Sequence, residues 1–244
     1  MSSNRVVWLR PTDPPNAFPD IGSALHEPDG LLAAGGDLSP ERLLQAYRTG
    51  IFPWFDEGQP ILWWSPDPRC VLRPTDFRTS SRMRRSVRSS TARITINASF
   101  SDVIRHCAGP RRSEQGTWIT AEMIAAYETL YRDGWAHSIE VREGDRLIGG
   151  LYGLAIGRLF FGESMFSLRA NASKLAMLGL CEILANNEFE LLDCQVVSEH
   201  LLKLGAVALP REEFASRLQS ACPTLTRFRN WPESPVKVSD LRPK

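Results

Sequence analysis

The sequence predicts an α+β fold in which helices and strands are mixed along the chain (mixed α/β). Segments with the 3.6-residue periodicity of amphipathic helices are mixed with short strand-like runs, and several of those runs follow one another directly. The chain has 244 residues, of which 43% are hydrophobic, so it can bury a sizeable core. This length accommodates one large domain, or one domain with a small companion.

The N-terminal part of the chain begins with irregular structure and then a helix. A short strand is predicted at 6–9, followed by a proline-rich stretch. Ser39 and the proline after it begin a helix, because the hydroxyl caps the first turn and proline fits there. Gly50 ends that helix.

An aromatic segment at 51–69 closes this part, with three tryptophans and four prolines. Most of its aromatic side chains are expected in a small hydrophobic core. Trp54 is the expected exception, held at a rim by the proline before it and a nearby turn. A boundary close to this segment divides the chain into domain 1–69, a small α/β unit, and domain 70–244.

The larger part of the chain continues the mixture of helices and strands. Strands are predicted at 93–97, 136–141, 147–156, 159–161 and 189–197. Helices are predicted at 101–107, 121–132, 171–186, 199–204 and 211–221.

A predicted β-hairpin over 147–167 contains the first candidate site residue. Its two apolar runs flank Gly157, which supplies the positive φ that a tight turn needs. Glu163 is the only acidic residue of this hairpin and lies among aromatic residues and methionine. A buried carboxylate needs a partner. Either a core arginine pairs with Glu163, or the cation arrives with a substrate.

A basic cluster follows the predicted domain boundary. Residues 77–101 hold six arginines and no acidic residue, although the net charge of the chain is only +1. Four of these arginines fall on one short predicted helix that Ser81 would cap: Arg82, Arg84, Arg85 and Arg88. The cluster is either a solvated helix face or a phosphate-binding surface. Self-repulsion without interleaved acidic residues favours the phosphate contact.

Two polar residues lie within 191–197 of the predicted strand 189–197. Side chains alternate along a strand, so Asp193 and Gln195 are expected on one face, with Cys194 on the other. A carboxylate beside a carboxamide forms a natural hydrogen-bonded pair. That pair is either a satisfied polar core pair or part of a functional site.

The composition argues against several classes of protein. Five scattered cysteines without a CxxC motif, and four dispersed histidines, predict neither a disulfide framework nor a metal site. The chain starts without a signal-peptide pattern and has no apolar run of about 18 residues. A cytoplasmic protein without membrane association is therefore expected.

Several motifs taken together are specific. The segments LHEPDGLLAAGGDLSPERLLQAYRTGIFPWF, ILWWSPDPR, GTWIT, AHSIEV, LFFGESMFS, NASK and LLDCQV resemble the leucyl/phenylalanyl-tRNA–protein transferase family, from about Phe18 to Pro210. The resemblance implies a small N-terminal domain followed by a GNAT-type, acetyltransferase-like catalytic domain.

The same resemblance implies an aminoacyltransferase. The family moves Leu, Phe or sometimes Met from aminoacyl-tRNA to the α-amine of proteins that begin with Arg or Lys, which marks them for N-degron proteolysis. Conversion of an ester to an amide lowers the free energy, so no cofactor and no metal are expected. The expected partners are aminoacyl-tRNA and the protein substrate, and a monomer is expected.

The resemblance also implies roles for individual residues. Asp193 and Gln195 match the proposed catalytic pair, in which Gln195 orients the amine and polarises it together with Asp193. Glu163 matches the acid that binds the basic N-terminal residue. Trp54 and Trp118 match the two tryptophans between which the terminal adenosine stacks. A proton shuttle through the 2′-hydroxyl of the tRNA is the alternative to the catalytic pair.

The donor amino acid and the tRNA have their own matching residues. The apolar pocket for the aminoacyl side chain corresponds to Leu151, Phe160, Met165, Leu180 and Leu192. Of these, Leu151 and Leu180 replace a Met and a Phe expected in the family, which bears on the preference among Leu, Phe and Met. The basic cluster at 82–88 matches the surface that grips the tRNA stem.

Two rival functions follow from the same residues. A coenzyme A-dependent N-acetyltransferase would use the same fold, but the sequence lacks the Q/R-x-x-G-x-G/A turn that binds the phosphates of coenzyme A. A tRNA-binding module without catalytic activity would make the pair of Asp193 and Gln195 purely structural.

Overall fold

The structure, a computed structural model, describes residues 5–109 and 119–243. Seven α-helices lie in the described ranges: α1 (Pro40–Arg48), α2 (Ser81–Arg88), α3 (Phe100–Cys107), α4 (Ala121–Arg132), α5 (Ala172–Asn186), α6 (Glu199–Lys203) and α7 (Arg211–Ala221). Twelve strands accompany them: β1 (Val7–Leu9), β2 (Leu31–Gly35), β3 (Phe52–Pro53), β4 (Leu62–Trp64), β5 (Arg69–Leu72), β6 (Arg93–Ile96), β7 (Ala136–Glu143), β8 (Arg146–Ile156), β9 (Leu159–Ser167), β10 (Leu191–Gln195), β11 (Val207–Leu209) and β12 (Val236–Lys237).

The first four strands form a small sheet in the order β1-β2-β4-β3. Only β1 and β2 are parallel in it, and the other neighbours are antiparallel. Helix α1 follows β2 and starts as the sequence predicts, because the Ser39 hydroxyl accepts a hydrogen bond from the backbone N–H of Arg42 and proline occupies the first turn. Its apolar face is buried through Leu43, Leu44 and Tyr47.

The remaining strands form an eight-stranded sheet in the order β11-β5-β10-β9-β8-β7-β6-β12. Every neighbouring pair is antiparallel except β9 and β10, which run parallel. Helix α5 makes the crossover between these two strands, as a parallel connection requires. The one parallel pair therefore lies inside an otherwise antiparallel sheet.

Two hydrophobic clusters hold the sheets and helices together. The first includes Trp63 of the small sheet, Phe161 of β9 and Phe214 of α7, so the small sheet and the large sheet share this core. The second includes Leu180 of α5 and Leu192 of β10. The strands β9 and β10 are thus covered on both faces, which fixes the backbone from which the candidate site residues project.

The predicted α+β class is confirmed, with a small N-terminal sheet and a larger C-terminal part. The hairpin of β8 and β9 turns at Gly157, whose φ is +57°. The division into domains 1–69 and 70–244 stays a prediction. Strands of the small sheet lie within 7–64, and β5 begins the large sheet at Arg69.

Several local predictions differ from the structure; strand β9, predicted at 159–161, extends to Ser167. Ser80, and not Ser81, caps α2, since its hydroxyl accepts a hydrogen bond from the N–H of Met83. Helix α3 begins at Phe100, one residue before the predicted Ser101 cap. The strand predicted at 189–197 is shorter, because a bulge ends it at Gln195. Among the described residues, no helix has both the length and the apolar character needed to cross a membrane.

Candidate functional site

The site lies where strands β9 and β10 stop pairing. Their parallel ladder covers only three positions and ends with Asp193 opposite Phe161. Strand β9 continues to Ser167 beside β8, whereas β10 bulges between Asp193 and Gln195. Gln195 itself has a φ of +64°, in the left-handed region that side chains other than glycine seldom adopt. Glu163 of β9 and Gln195 of β10 therefore face the same opening.

Glu163 is held by three neutral hydrogen-bond donors. The hydroxyl of Tyr47 in α1 donates to its Oε1 at 2.7 Å, and the hydroxyl of Tyr127 in α4 donates to its Oε2 at 2.9 Å. The carboxamide Nε2 of Gln195 donates to Oε1 at 2.9 Å, and the two tyrosine hydroxyls contact each other. Within 5–109 and 119–243, Glu163 forms no salt bridge. No arginine in these ranges pairs with Glu163, so the structure offers no support there for a core arginine as its partner.

The surroundings of Glu163 make its charge sensitive to pH near neutrality. Burial raises the pKa of Glu163 from 4.5 to about 7, against the opposing effect of the hydrogen bonds from the two tyrosines. Burial also raises the pKa of the hydroxyls of Tyr47 and Tyr127, so both remain protonated donors. Glu163 is half-buried, and a partly desolvated carboxylate whose described partners are neutral donors can still pair with a cation.

This raised pKa predicts a pH-dependent stability. The folded protein holds the Glu163 proton up to about pH 7, whereas the unfolded chain releases it near 4.5. The stability that Glu163 contributes is therefore full below pH 4.5 and is lost as the pH rises through 7. Relative to Glu163→Gln, the wild-type protein should become less stable over that range by at most about 3 kcal/mol. Urea unfolding of both proteins at pH 5 and pH 8 measures the change; an equal difference at both pH values would contradict it.

Asp193 is paired with an arginine that the sequence analysis did not single out. Arg69 of β5 donates from Nε to Oδ1 of Asp193 at 2.9 Å and from Nη2 to Oδ2 at 2.7 Å, and both side chains are fully buried. Oδ1 also accepts the backbone N–H of Gln195 at 2.9 Å. The expected bond between the carboxylate of Asp193 and the carboxamide of Gln195 is wrong, since that carboxamide donates to Glu163. The bulge breaks the strand alternation on which the expectation depended.

An apolar cavity of about 110 Å³ opens on one side of Glu163. Four of the five residues predicted for the aminoacyl pocket line it: Leu151, Met165, Leu180 and Leu192. Phe160, the fifth, is fully buried in the second core cluster and does not line this cavity. Phe160 is the register partner of Leu192 and shares its core cluster, so it packs behind the residues that line the cavity.

A second cavity, of about 180 Å³, opens on the other side of Glu163. Its walls come from the small sheet and from the bulge of β10: Phe52, Pro53, Trp54, Glu163, Cys194, Gln195 and Val196. Glu163 and Cys194 line both cavities. A larger cavity of about 800 Å³, between the segment at 16–21 and α7, shares no residue with the site.

Trp54 lies at the rim of the second cavity, with 43% of its surface exposed. The ring of Trp64 packs 5.9 Å from it, and the Trp64 Nε1 donates to the Trp54 carbonyl at 2.6 Å. Trp54 thus packs at a tilt of 53° against Trp64, while much of its surface stays exposed at the rim of the cavity. Trp118, predicted as the other stacking residue, lies outside the described residues.

The basic cluster lies on α2, which is anchored through the buried side chains of Met83 and Val87. Three of its arginines are exposed and form no salt bridge with a described acidic residue: Arg82, Arg85 and Arg88. Arg84 differs, because its guanidinium donates to the Thr79 carbonyl at 2.6 Å and to the Ser81 hydroxyl at 3.2 Å. The helix thus presents three arginines that no acidic residue of the described ranges pairs with in a salt bridge.

Comparison with known proteins gives the family. A family model described as "Leucyl/phenylalanyl-tRNA protein transferase" matches residues 71–219, and one described as its N-terminal domain matches residues 36–67. The chain belongs to the leucyl/phenylalanyl-tRNA–protein transferase family. The predicted family and the predicted enzyme class, an aminoacyltransferase, are confirmed.

Curated relatives with the family name cover most of the chain. The leucyl/phenylalanyl-tRNA–protein transferase of Nitrosospira multiformis is 50% identical over 226 residues, which cover 93% of this chain and 96% of that protein. The Xylella fastidiosa relative is 54% identical over 212 residues, covering 86% of this chain and 87% of that one. The Xanthomonas axonopodis relative is 53% identical over 218 residues, covering 89% and 88%.

Sequence reasoning missed three residues that shape the site: Arg69, Tyr47 and Tyr127. Arg69 begins a strand whose following residues are apolar, and a buried arginine there requires an acidic partner. Tyr47 and Tyr127 lie on the apolar faces of α1 and α4, where their rings read as core residues. The sequence context of each residue marked it as buried, but it did not indicate which side chain each residue would contact.

Proposed function

We propose that this protein transfers Leu, Phe or Met from aminoacyl-tRNA to the α-amine of proteins whose first residue is Arg or Lys. The product then carries an N-terminal residue that marks it for N-degron proteolysis. The observation that carries this proposal is the position of Glu163, a carboxylate that lines both an apolar cavity and a second cavity and whose described hydrogen-bond partners are all neutral donors. We expect the protein to act as a cytoplasmic monomer.

The two cavities suggest how the substrates would be arranged. The apolar cavity suits the side chain of the donated amino acid, because it is lined by leucine and methionine. Glu163 suits the guanidinium or ammonium group of the acceptor, since a half-buried carboxylate that lines both cavities can bind a cation and discriminate against neutral side chains. Both substrates would then meet at the bulge of β10.

The chemical step needs little proton transfer from the protein. An α-amine with a pKa near 8 is partly neutral at pH 7 and can attack the ester carbonyl of aminoacyl-tRNA. The C–N bond forms, the ester C–O bond breaks, and the proton lost by the amine goes to the leaving ribose oxygen, directly or through the tRNA 2′-hydroxyl. Placing amine and ester in contact supplies much of the acceleration.

Gln195 and Asp193 have different parts in this proposal. A carboxamide is a very poor base, so Gln195 orients the amine through hydrogen bonds. Asp193 is fully buried and accepts hydrogen bonds from Arg69 and from the Gln195 backbone, which suits a role exerted through Gln195. No proton acceptor other than the tRNA itself is required.

The decisive experiment incubates the protein with leucyl-tRNA and a peptide that begins with Arg, and reads the peptide by mass spectrometry. A mass gain of one leucyl residue at the N-terminus is expected. A matched peptide that begins with Gln should remain unchanged. Acetylation of the Arg peptide by acetyl-CoA without tRNA would instead favour an acetyltransferase, and binding of tRNA without transfer would favour a binding module.

Trp54→Ala is expected to weaken binding of an aminoacyl-adenosine donor by about 1–3 kcal/mol. Without the indole ring the adenine would lose its stacking contact, which does not depend on base identity. Isothermal titration with a non-hydrolysable aminoacyl-adenosine measures the effect. Trp8→Ala is the control, because Trp8 is 66% exposed on β1. Equal affinities of Trp54→Ala and wild type would contradict adenosine stacking.

Replacing both Arg85 and Arg88 by Glu is expected to raise the KM for whole leucyl-tRNA at least tenfold while sparing a short aminoacyl-adenosine donor. Both side chains are exposed on α2, so the change alters the field toward phosphates and not the core. Arg84 is left in place because it bonds to Thr79 within the fold. Arg132→Glu, on α4, is the charge-reversal control. Equal losses with both donors would assign the cluster a structural role.

A further inference from the structure

Arg69 occupies a site built around its guanidinium group. Its Cζ lies 4.8 Å from the ring centroid of Phe52 and 4.7 Å from that of Phe214, so the two rings cover the group from the small sheet and from α7. Its Nη1 donates to the Gly50 carbonyl at 3.0 Å, and its Nε and Nη2 bind Asp193. Three parts of the chain therefore converge on one buried side chain.

The pair with Asp193 continues to the site through the backbone. Oδ1 of Asp193 accepts both the Nε–H of Arg69 and the N–H of Gln195, each at 2.9 Å. Gln195 is in the left-handed region, with a φ of +64°, and its Nε2 donates to Glu163. Non-glycine residues keep such a conformation only when their surroundings impose it. The bond from the Gln195 N–H to Asp193 is one contact that does so.

We propose that Arg69 is a positioning residue: its two-point bond fixes the carboxylate of Asp193, which holds the Gln195 peptide in the left-handed conformation that directs its carboxamide to Glu163. This inference rests on the proposed function. It makes Asp193 an anchor for the bulge of β10. Both of its oxygens are already bound by Arg69, and neither reaches the cavities, so Asp193 does not take up the proton of the amine.

The geometry explains why an arginine is needed. A guanidinium is planar, so it fits between two aromatic rings, and its fork donates in fixed directions. Arg69 uses three of its nitrogens in three different bonds. A lysine would keep the positive charge next to Asp193 but would make only a single-point contact, leaving the carboxylate free to rotate.

Arg69→Lys tests the proposal without removing the charge. We expect kcat for leucyl transfer to an Arg peptide to fall about 10- to 100-fold, with KM for both substrates within twofold of wild type. The matched control is Arg211→Lys: Arg211 is also buried, and it donates to the Ser65 carbonyl at 2.6 Å away from the site. Arg211→Lys should lower Tm without changing kcat. Wild-type kcat in folded Arg69→Lys would overturn the proposal.

Phe214→Leu is a second variant in case Arg69→Lys does not fold. It removes one ring from the guanidinium without touching any charge and should lower kcat about three- to tenfold at unchanged KM. Hydrogen exchange of the Gln195 backbone amide gives a readout that does not depend on activity. This amide should exchange at least tenfold faster in either variant than in wild type. Unchanged exchange at Gln195 in a folded variant overturns the proposal. Absence of leucyl transfer by the wild-type protein would contradict the proposed function, while exchange at Gln195 still decides the role of Arg69.

Discussion

Glu163→Gln should abolish most transfer to peptides that begin with Arg or Lys. The carboxamide keeps the shape of the side chain but removes the charge that would face the acceptor's cation. Loss of one partner of a buried charge pair costs about 2–5 kcal/mol, which corresponds to at least about a 30-fold fall in kcat/KM. Steady-state kinetics with an Arg peptide measures this fall.

The control for Glu163→Gln is Glu140, a fully buried carboxylate that lines neither cavity of the site. Glu140 in β7 accepts hydrogen bonds from the hydroxyls of Thr95 and Ser138, both at 2.6 Å, and burial raises its pKa as well. Glu140→Gln should leave acceptor choice unchanged even if it lowers Tm. The donor KM should also stay unchanged in Glu163→Gln. Undiminished discrimination between Arg and Gln peptides in Glu163→Gln would remove Glu163 from acceptor recognition.

Asp193→Ala should destabilise the fold strongly, and repair of its stability should not restore activity. The change leaves the guanidinium of Arg69 buried without its counter-ion, which costs about 3–5 kcal/mol of unfolding free energy. The double variant Arg69→Met with Asp193→Leu replaces the pair by apolar side chains of similar size and should recover most of that loss, since such exchanges are often neutral. Urea unfolding of wild type, single variant and double variant measures these differences.

Activity of the double variant separates structure from chemistry. The Gln195 N–H has no acceptor at position 193 once leucine is there, so the left-handed conformation is no longer held and kcat should stay at least tenfold below wild type. A tRNA-binding module, in which Asp193 is only structural, has no transfer activity to lose. A stable double variant with full transfer activity would show that neither side chain contributes to the reaction.

Local patterns were enough for most of the fold. Helix α4 and helix α7 have the predicted bounds, because a capping threonine starts the first and a proline at 210 precedes the second. The hairpin of β8 and β9 turns where glycine was expected to allow it. Each of these features depends on residues close together in the sequence, so it can be predicted from a short segment of the chain.

The site was predictable only in part. Glu163 was singled out as a lone acid in an apolar hairpin, and it does lie beside an apolar cavity. Its donors, Tyr47 and Tyr127, are 116 and 36 residues away from it in the chain. The partner of Asp193 is 124 residues away. No local pattern selects such partners.

The sequence by itself determined the family, the mixed α+β class and the residues with the chemistry to bind a cation and an apolar side chain. Tertiary structure alone decided that Glu163 meets tyrosines and a carboxamide, that Arg69 neutralises Asp193, and that Phe160 faces the core. The physical reason is that periodicity and turn chemistry are local properties of the chain. The pairing of buried polar groups depends on which distant strands and helices become neighbours when the two sheets pack together.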